Sequence, residues 1–336
     1  MQDNPDDRLP PLRELLLQAP NMSIAEQQRR ALGQWGLRIQ SRRTLASLGW
    51  VLSTYRVPDS VDLEAVKAQI ANQWPVENNQ RYRLQRSEQR QYAQRLLGAQ
   101  LPSHCPQSPR LALLDSAVNA QLPVFEGRVQ SVHVAAQDAD PHPHGTGVAT
   151  LMVGKDLGLL PKAQLLAVNV FAEDATGNME TRTDWLLIGL DKIAAFKPLV
   201  VNMSFGGKHS DLLAQAITQL AKQVTFVAAA GNSGAERPMY PAAYPAVQAV
   251  GATDNQLRLL ALSNGGNRVF WRAPGQDVWT YNERGQGRYQ TGTSFASPLV
   301  AAAIATALYE GMQTPEVNQF WPTGTPDLGD LCNAPL

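Results

Sequence analysis

The sequence has no charge imbalance: 29 Lys and Arg stand against 29 Asp and Glu, a formal net charge of zero. No segment gathers charges of one sign, so the electrostatic signatures of nucleic-acid binding and of a membrane or polyanion patch are missing. Cysteine is scarce. The two present, Cys105 and Cys332, form no CxxC pair, which excludes a zinc cluster and a thioredoxin-like motif. They are either two free thiols or one bridge, and a bridge would mean an oxidising compartment. One stretch, 291–309, carries no charge, but Gly, Pro, Ser and Thr interrupt it. It reads as a buried core helix rather than a membrane span. The opening MQDNPDDRLPPL has neither a basic n-region nor an apolar h-region. That is the pattern of a chain with no export signal, and equally of one whose signal has been removed. No internal repeat at a period of about 20–50 residues is present.

What is present reads as globular. Apolar residues make up 44% of the 336 and charged residues 17%. At roughly 150 residues per domain the length suggests two domains and a large core. The texture changes near residue 100. Residues 11–33 read as helical, with Leu12, Leu15, Leu16 and Leu17 on the apolar side, giving a helical arm over 1–34. Residues 35–39 and 51–57 read as strands, the second stopped by Pro58. Asp59 is the expected N-cap, with Asp62 at N3, of a helix presenting Leu63, Val66 and Ile70 on one face. Another strand is expected at 81–84 and a polar helix at 87–97, stopped by Gly98. Residues 35–100 thus form a small α+β unit with a connecting helix, and the Pro- and Ser-rich 102–109 is a linker. Beyond it, short apolar runs at 111–115, 165–170, 199–203, 225–230 and 247–251 alternate with helical stretches near 148–154, 185–195, 211–222 and 294–311. This pattern predicts a parallel sheet with helices on both faces, a doubly wound α/β fold over 101–336.

Four polar residues fall where such a sheet ends. Asp115 closes the run LALLD, and ligands of doubly wound sheets bind beyond the strands' carboxyl ends. His144 opens HGTGVATLMVG, a glycine-rich turn entering an apolar helix. A helix N-terminus favours the neutral imidazole that a general base needs. Asn232 lies in AAAGNSG just past a strand, where flanking glycines permit close backbone approach. Ser294 lies in GTSFASP, at another glycine turn into a helix, where a hydroxyl is surrounded by free N–H donors. Singly, each has an ordinary structural reading as a turn or cap residue. Together they supply a nucleophile, a base, an orienter and an oxyanion donor.

Residues 110–312 resemble the subtilisin-like serine peptidases, the subtilases. LALLDSAV, HGTGVATLMVG, VVNMSFGG, VAAAGNSG and GTSFASPLVAAAIA match in the family's Asp–His–Asn–Ser order. The chain departs from the pattern at Ala117, where the family usually has Gly, and at Gly147, where it carries a second His. The resemblance implies a serine endopeptidase acting through an acyl-enzyme. Ser294 would be the nucleophile, His144 the general base and acid, and Asp115 the group that holds the imidazole. The Asn232 side chain and the Ser294 backbone N–H would form the oxyanion hole. It also implies a polypeptide substrate bound in extended form between Ser204, Phe205 and Gly206 on one edge and Ala175, Thr176 and Gly177 on the other. The loop FAEDATGNMETRTDW, with Met179 in it, is longer than the family's usual version.

Residues 35–84 similarly resemble the family's prodomain, a ferredoxin-like unit that aids folding and inhibits the protease. That implies a self-inhibited precursor, with the chain's own N-terminal segment as intramolecular inhibitor and a processing zone in RQYAQRLLGAQ, near Tyr92–Ala93. The contrasting reading is a catalytically silent peptide-binding protein of the same fold, held by its own N-terminal segment. Asp138, Asp140, His142 and His144, with His133 nearby, are residue types that bind metals, but a metal site would leave the Ser and Asn blocks without a purpose. No cofactor is expected. Calcium stabilises many subtilases, yet no oxygen-rich loop marks a site here. A bridge between Cys105 and Cys332 would support an exported, periplasmic or secreted, protein.

Overall fold

The computed structural model describes residues 12–84, 108–136 and 138–313. The chain begins with β1 (Glu14–Ala19), α1 (Met22–Gly33), β2 (Arg38–Leu45), β3 (Trp50–Arg56), α2 (Leu63–Ala71) and β4 (Val76–Asn78). The strands form one antiparallel sheet in the order β2-β3-β1-β4. This βαββαβ arrangement is ferredoxin-like.

The helix expected over 11–33 is corrected at its start. ELLLQA is β1, and the helix begins only at Met22, where Asn21 accepts a hydrogen bond from the Ile24 N–H at 3.0 Å. β1 is a central strand buried on both faces. Leu15 and Leu17 pack with Leu32, Tyr55, Val66 and Ile70 beneath the two helices. Leu16 points to the opposite face and joins a different core. A run apolar on both faces has no period, so strand and helix look alike in it. The first expected strand also moves, from 35–39 to β2. The N-cap of α2 is Asp62, which accepts from the N–H groups of Glu64 and Ala65 at 3.0 and 3.1 Å. Asp59 lies outside the helix and pairs with Arg13 at 3.1 Å.

After β5 (Arg81–Leu84) come β6 (Arg110–Asp115), β7 (Val129–His133), α3 (Pro143–Val153), β8 (Gln164–Asn169), β9 (Ala172–Glu173), β10 (Met179–Arg182) and α4 (Thr183–Phe196). β11 (Val200–Met203), β12 (Phe205–Gly207), α5 (Asp211–Leu220), β13 (Thr225–Ala229), β14 (Val247–Thr253) and β15 (Trp271–Pro274) follow. The chain then forms the hairpin β16 (Val278–Tyr281) and β17 (Gly287–Gln290), and ends its described part in α6 (Thr293–Tyr309). Seven strands build a fully parallel sheet, ordered β15-β14-β13-β11-β6-β8-β7.

Alternation along the strands splits the interior in two, because successive side chains point to opposite faces. Leu111, Leu113, Leu165 and Val227 face α3 and α6. Ala112, Leu114, Leu166 and Phe226 face α4 and α5. The five expected strands are all present, and the two edge strands β7 and β15 are additional. VQSVH and WRAP mix polar with apolar residues, so neither reads as a fully buried run. α6 is buried from Thr293 to Ala307, which makes it the central core helix that the uncharged stretch foretold. Among the described residues no helix is long and apolar enough to cross a membrane.

The two units share one core. Leu16, Leu45, Leu48, Trp50 and Leu52, on the face of the antiparallel sheet away from α1 and α2, cluster with Leu186, Leu190 and Ile193 of α4 and with Leu213 and Ile217 of α5. The expected helix at 87–97, the linker at 102–109 and both cysteines lie outside the described residues.

Candidate active site

The sheet reverses its direction of growth at β6. From there the chain adds β7 and β8 on one side, then β11 and later strands on the other. The loops leaving β6 and β11 therefore diverge, which opens a crevice at the carboxyl ends. Asp115 is the last residue of β6, and Ser204 follows β11 directly. His144 and Ser294 each stand second in their helices, α3 and α6. Asn232 follows β13.

The structure brings these residues together. Asp115 is fully buried, and its Oδ1 accepts from His144 Nδ1 at 2.8 Å, from the Ser116 N–H at 2.7 Å and from Ser116 Oγ at 3.1 Å. A carboxylate on Nδ1 holds the proton there and leaves Nε2 as the acceptor. Nε2 is buried with no partner. The ring also lies against Phe295, with centroids 5.6 Å apart. His142 caps α3, its Nδ1 accepting from the His144 N–H at 3.2 Å. Gly145 is dictated by space, since a Cβ there would lie 2.3 Å from the Ser116 carbonyl oxygen.

Both departures from the family pattern are explained. The backbone at Ala117 is not left-handed, so a Cβ is tolerated. A Cβ on Gly147 would come within 3.0 Å of Thr280 Oγ1 and 3.6 Å of Phe295. Those side chains occupy the room that a second histidine would need.

Ser294 is fully buried and its Oγ donates to the Ser204 carbonyl at 3.1 Å. In this state it makes no hydrogen bond to His144 Nε2. Ser204 Oγ donates to the Ser294 carbonyl at 2.9 Å and accepts from Asn202 Nδ2 at 2.9 Å, while Ser297 Oγ donates to Asn202 Oδ1 at 2.6 Å. This chain of bonds ties the first turn of α6 to the end of β11. Asn232 Oδ1 accepts from the Thr293 N–H at 2.8 Å and from Thr293 Oγ1 at 3.1 Å. The acceptor end of the amide is thereby committed, and Nδ2 is buried with no partner. Gly292, with φ 144°, passes so close that a Cβ would lie 2.9 Å from that nitrogen.

The cleft beside these residues already holds a strand. β5 pairs antiparallel with β12 on one side and with β10 on the other. Phe205 and Gly206 thus stand on one edge, as expected, with Ser204 just before them. The other edge differs from the expectation. Ala175, Thr176 and Gly177 form a turn held by Asp174, whose Oδ1 accepts from the N–H groups of Thr176 and Asn178 at 2.8 and 3.0 Å. The strand that meets β5 comes after this turn, at Met179–Arg182. Met179 itself is buried in the core.

Residues 77–80, immediately before β5, cap two helices of the parallel-sheet unit. Glu77 accepts from the Ser210 hydroxyl and from the Leu212 N–H at the start of α5. Asn79 Oδ1 accepts from the Asp184 N–H at 3.3 Å, and the Gln80 carbonyl from the Thr183 N–H at 3.0 Å, at the start of α4. Arg182 bridges Glu14 and Asp184 at 3.2 and 3.3 Å and lies 4.1 Å above the Trp185 ring. Burial pushes the Glu77 carboxyl up, against the hydrogen bond from Ser210. Burial likewise raises Asp184, against the attraction of Arg182. None of these contacts was foreseen. Ser210 before α5 was the one available signal, as an ordinary N-cap. Among the described residues no three His, Cys, Asp or Glu side chains gather as metal ligands.

A doubly wound sheet with a buried Asp–His pair, a serine at a helix start and an unpartnered amide beside it defines the class of subtilisin-like serine proteases. The sequence matches the profile of the Subtilase family over residues 107–323, and the chain belongs to that family. Proteinase R of Parengyodontium album is 32% identical over 231 residues, which cover 66% of this chain and 59% of that protein. The Minor extracellular protease Epr of Bacillus subtilis (strain 168) is 32% identical over 205 residues, 58% of this chain and 31% of that one. The match to a Thermophilic serine proteinase of Bacillus sp. (strain AK1), also 32% identical, covers 62% of this chain and 54% of the relative. The chain thus spans less than two thirds of these relatives' lengths. Among solved structures, the protease domain of PatA superposes with a TM-score of 0.56 at 30% identity, covering 65% of this chain and 82% of that one. A cold adapted subtilisin-like serine proteinase gives 0.55 at 27% identity, covering 68% and 83%.

Proposed function

We propose that the chain is a serine endopeptidase whose catalytic group is Asp115, His144, Ser294 and Asn232, and that it is made in a form inhibited by its own N-terminal unit. The observation that carries the reading is the 2.8 Å Asp115–His144 bond, with His144 Nε2 and Asn232 Nδ2 both buried and unsatisfied around a serine at a helix start. Buried polar atoms without partners are costly, so two beside one hydroxyl suit groups that act on a visitor.

Catalysis requires the Ser294 hydroxyl to turn from the Ser204 carbonyl to His144 Nε2. Oγ then attacks the scissile carbonyl while His144 takes its proton. Asp115 holds the Nδ1–H tautomer and stabilises the imidazolium. Charge on the tetrahedral oxygen is met by Asn232 Nδ2 and the Ser294 N–H. His144 returns the proton to the leaving amine, and water releases the acyl group by the same steps.

Substrate polypeptides would enter as a strand between Phe205–Gly207 and Met179–Arg182, as β5 does, so that main-chain bonds give affinity and pockets for alternate side chains give preference. This form of recognition suits extended chains. We place the inhibitory unit before residue 100 and the catalytic domain at 101–336. We propose that the protein acts outside the cytoplasm, as the name of one relative states for that relative. One observation favours a silent peptide-binding protein: in this state Ser294 is turned from the base and the cleft is full. A fluorophosphonate probe separates the two readings. An adduct on Ser294, gained as the N-terminal unit is removed by limited proteolysis, supports the peptidase. No adduct after removal supports the silent reading.

A further inference from the structure

Three neighbouring strands of the parallel sheet end in polar residues that stand side by side. Asp115 closes β6, Asn169 closes β8 opposite it, and His133 closes β7 opposite Asn169. All three rise from the face that α3 covers, because Leu113, Ala167 and Val129 of the same alternation pack there. Each carries a buried polar atom with no partner: Asp115 Oδ2, Asn169 Nδ2 and His133 Nδ1. The proposed mechanism uses none of these atoms.

Asp115 is held unevenly. Its Oδ1 accepts from His144 Nδ1, from the Ser116 N–H and from Ser116 Oγ, while Oδ2 accepts from nothing. A buried charged oxygen without a donor is costly. The neighbour on the β11 side cannot supply one. Met203 pairs with Leu114, so Ser204 comes next to Asp115, and the Ser204 hydroxyl already donates to the Ser294 carbonyl. On the β8 side stands Asn169, buried, whose Oδ1 accepts from the Phe171 N–H at 3.0 Å. That bond commits the acceptor end of the amide and leaves Nδ2 to donate. Asp115 is one strand spacing from Asn169, about 4.8 Å, and two spacings from His133. Asn169 is also the one polar side chain at the inner end of a strand that otherwise runs Leu, Leu, Ala, Val after its first residue.

We infer that Asn169 is a positioning residue of the catalytic group: its Nδ2 donates to Asp115 Oδ2 and holds the carboxylate plane while His144 takes and returns the serine proton. This rests on the proposed peptidase function. The terminal torsions of Asp and Asn side chains are broad and soft. A turn of either side chain about that torsion closes the contact. A carboxylate anchored through one oxygen swings about the same torsion. Anchored through both, it keeps Oδ1 against Nδ1 through the stage at which the imidazole is charged. Asn169 touches neither substrate nor serine and acts only through Asp115.

The test compares wild type, Asn169→Asp, Asn169→Leu and His133→Gln as full chains. Two things are measured: the rate of fluorophosphonate labelling at Ser294 against pH, and the proton resonance of the His144 Nδ1–H, assigned by its loss in His144→Ala. Asn169→Asp keeps an acceptor for the Phe171 N–H and loses only the donor. In alkaline buffer it should label about tenfold more slowly than wild type, the worth of one hydrogen bond to a charged group. The deficit should shrink as pH falls, because the new carboxyl regains a donor once protonated. His144 and His142 at the start of α3 and His133 of β7 are the other titratable groups around Asp115. They are the same in both chains, so the ratio of rates removes them. Asn169→Leu should stay slow at every pH. The Nδ1–H resonance should shift in both Asn169 variants, and His133→Gln should leave rate and resonance unchanged. Wild-type rates with an unmoved resonance overturn the inference and leave the peptidase reading intact. So does a deficit in Asn169→Asp that is the same at every pH, or an equal effect of His133→Gln. If wild type takes no label even after removal of the N-terminal unit, the peptidase reading itself falls, and the resonance alone decides whether Asn169 holds Asp115.

Discussion

Two regions of this molecule meet at one cleft and are built on opposite plans. The proposed catalytic centre is assembled from short blocks at element ends, each with its own turn chemistry. Glycines stand where backbones cross, and the reactive residues sit second in their helices. The surface that covers the cleft is built from pairs far apart in sequence. Asn79 meets Asp184 across 105 positions, Glu77 meets Ser210 across 133, and Glu14 meets Arg182 across 168. The first region leaves donors and acceptors unsatisfied. The second satisfies the free ends of two helices with groups from another unit. Under the proposed function, catalysis would depend on local geometry within the parallel-sheet unit, and inhibition on contacts made between the two units.

The largest effects should fall on the catalytic side alone. Ser294→Ala should remove hydrolysis down to the residual rate that binding and the oxyanion hole support, roughly 10³–10⁴ over water, with the melting temperature little changed. Casein hydrolysis and calorimetry check both parts, and wild-type turnover in that variant would break the assignment. Asn232→Ala should lower kcat by about 10²–10³ with little change in KM, the magnitude established for the corresponding donor in subtilisin itself. A loss confined to KM would show that Asn232 binds substrate and does not serve the transition state.

Effects on the covering surface should be smaller and of opposite sense. Asn79→Ala removes a helix cap between units and should weaken attachment by about 1 kcal/mol, so that Ser294 labels several-fold faster in the uncut chain. Slower or unchanged labelling would break the comparison between a site that works and a surface that restrains it. Glu77→Gln tests the same surface through pH. Burial raises the Glu77 carboxyl in the attached state, so that state holds the extra proton between the ordinary and the raised value. Attachment therefore strengthens as pH falls through that window and weakens as pH rises through it. Asp184 acts in the same direction. Glu77→Gln has no proton to exchange and should give a shallower slope of labelling rate against pH. A slope equal to wild type would remove Glu77 from the account.

The same contrast explains what could be read without coordinates. His144, Asn232 and Ser294 were legible because each lies in a block whose glycines and apolar flanks announce a strand end or a helix start, and Asp115 because it closes an apolar run. The five inner strands were legible as buried runs. β1 was not, since Leu15, Leu16 and Leu17 serve two cores at once and leave no period. The cap of α2 was misplaced because two aspartates stand three residues apart, and only Asp62 reaches the free N–H groups while Asp59 turns to Arg13. The second edge of the cleft was placed at Ala175–Gly177, around the Thr176-Gly177 pair, on the resemblance to the family alone. Asp174 folds that pair into its own turn and moves the edge to β10. The caps from Glu77 and Asn79 had no local sign at all, since their partners are backbone groups of another unit.

The most direct test of the account is the mass of the full chain before and after a fluorophosphonate, for wild type and Ser294→Ala. The account predicts a single adduct that maps to Ser294, forms faster once the N-terminal unit has been removed, and never forms on the variant. An adduct on another serine, or none on the freed catalytic domain, would contradict it.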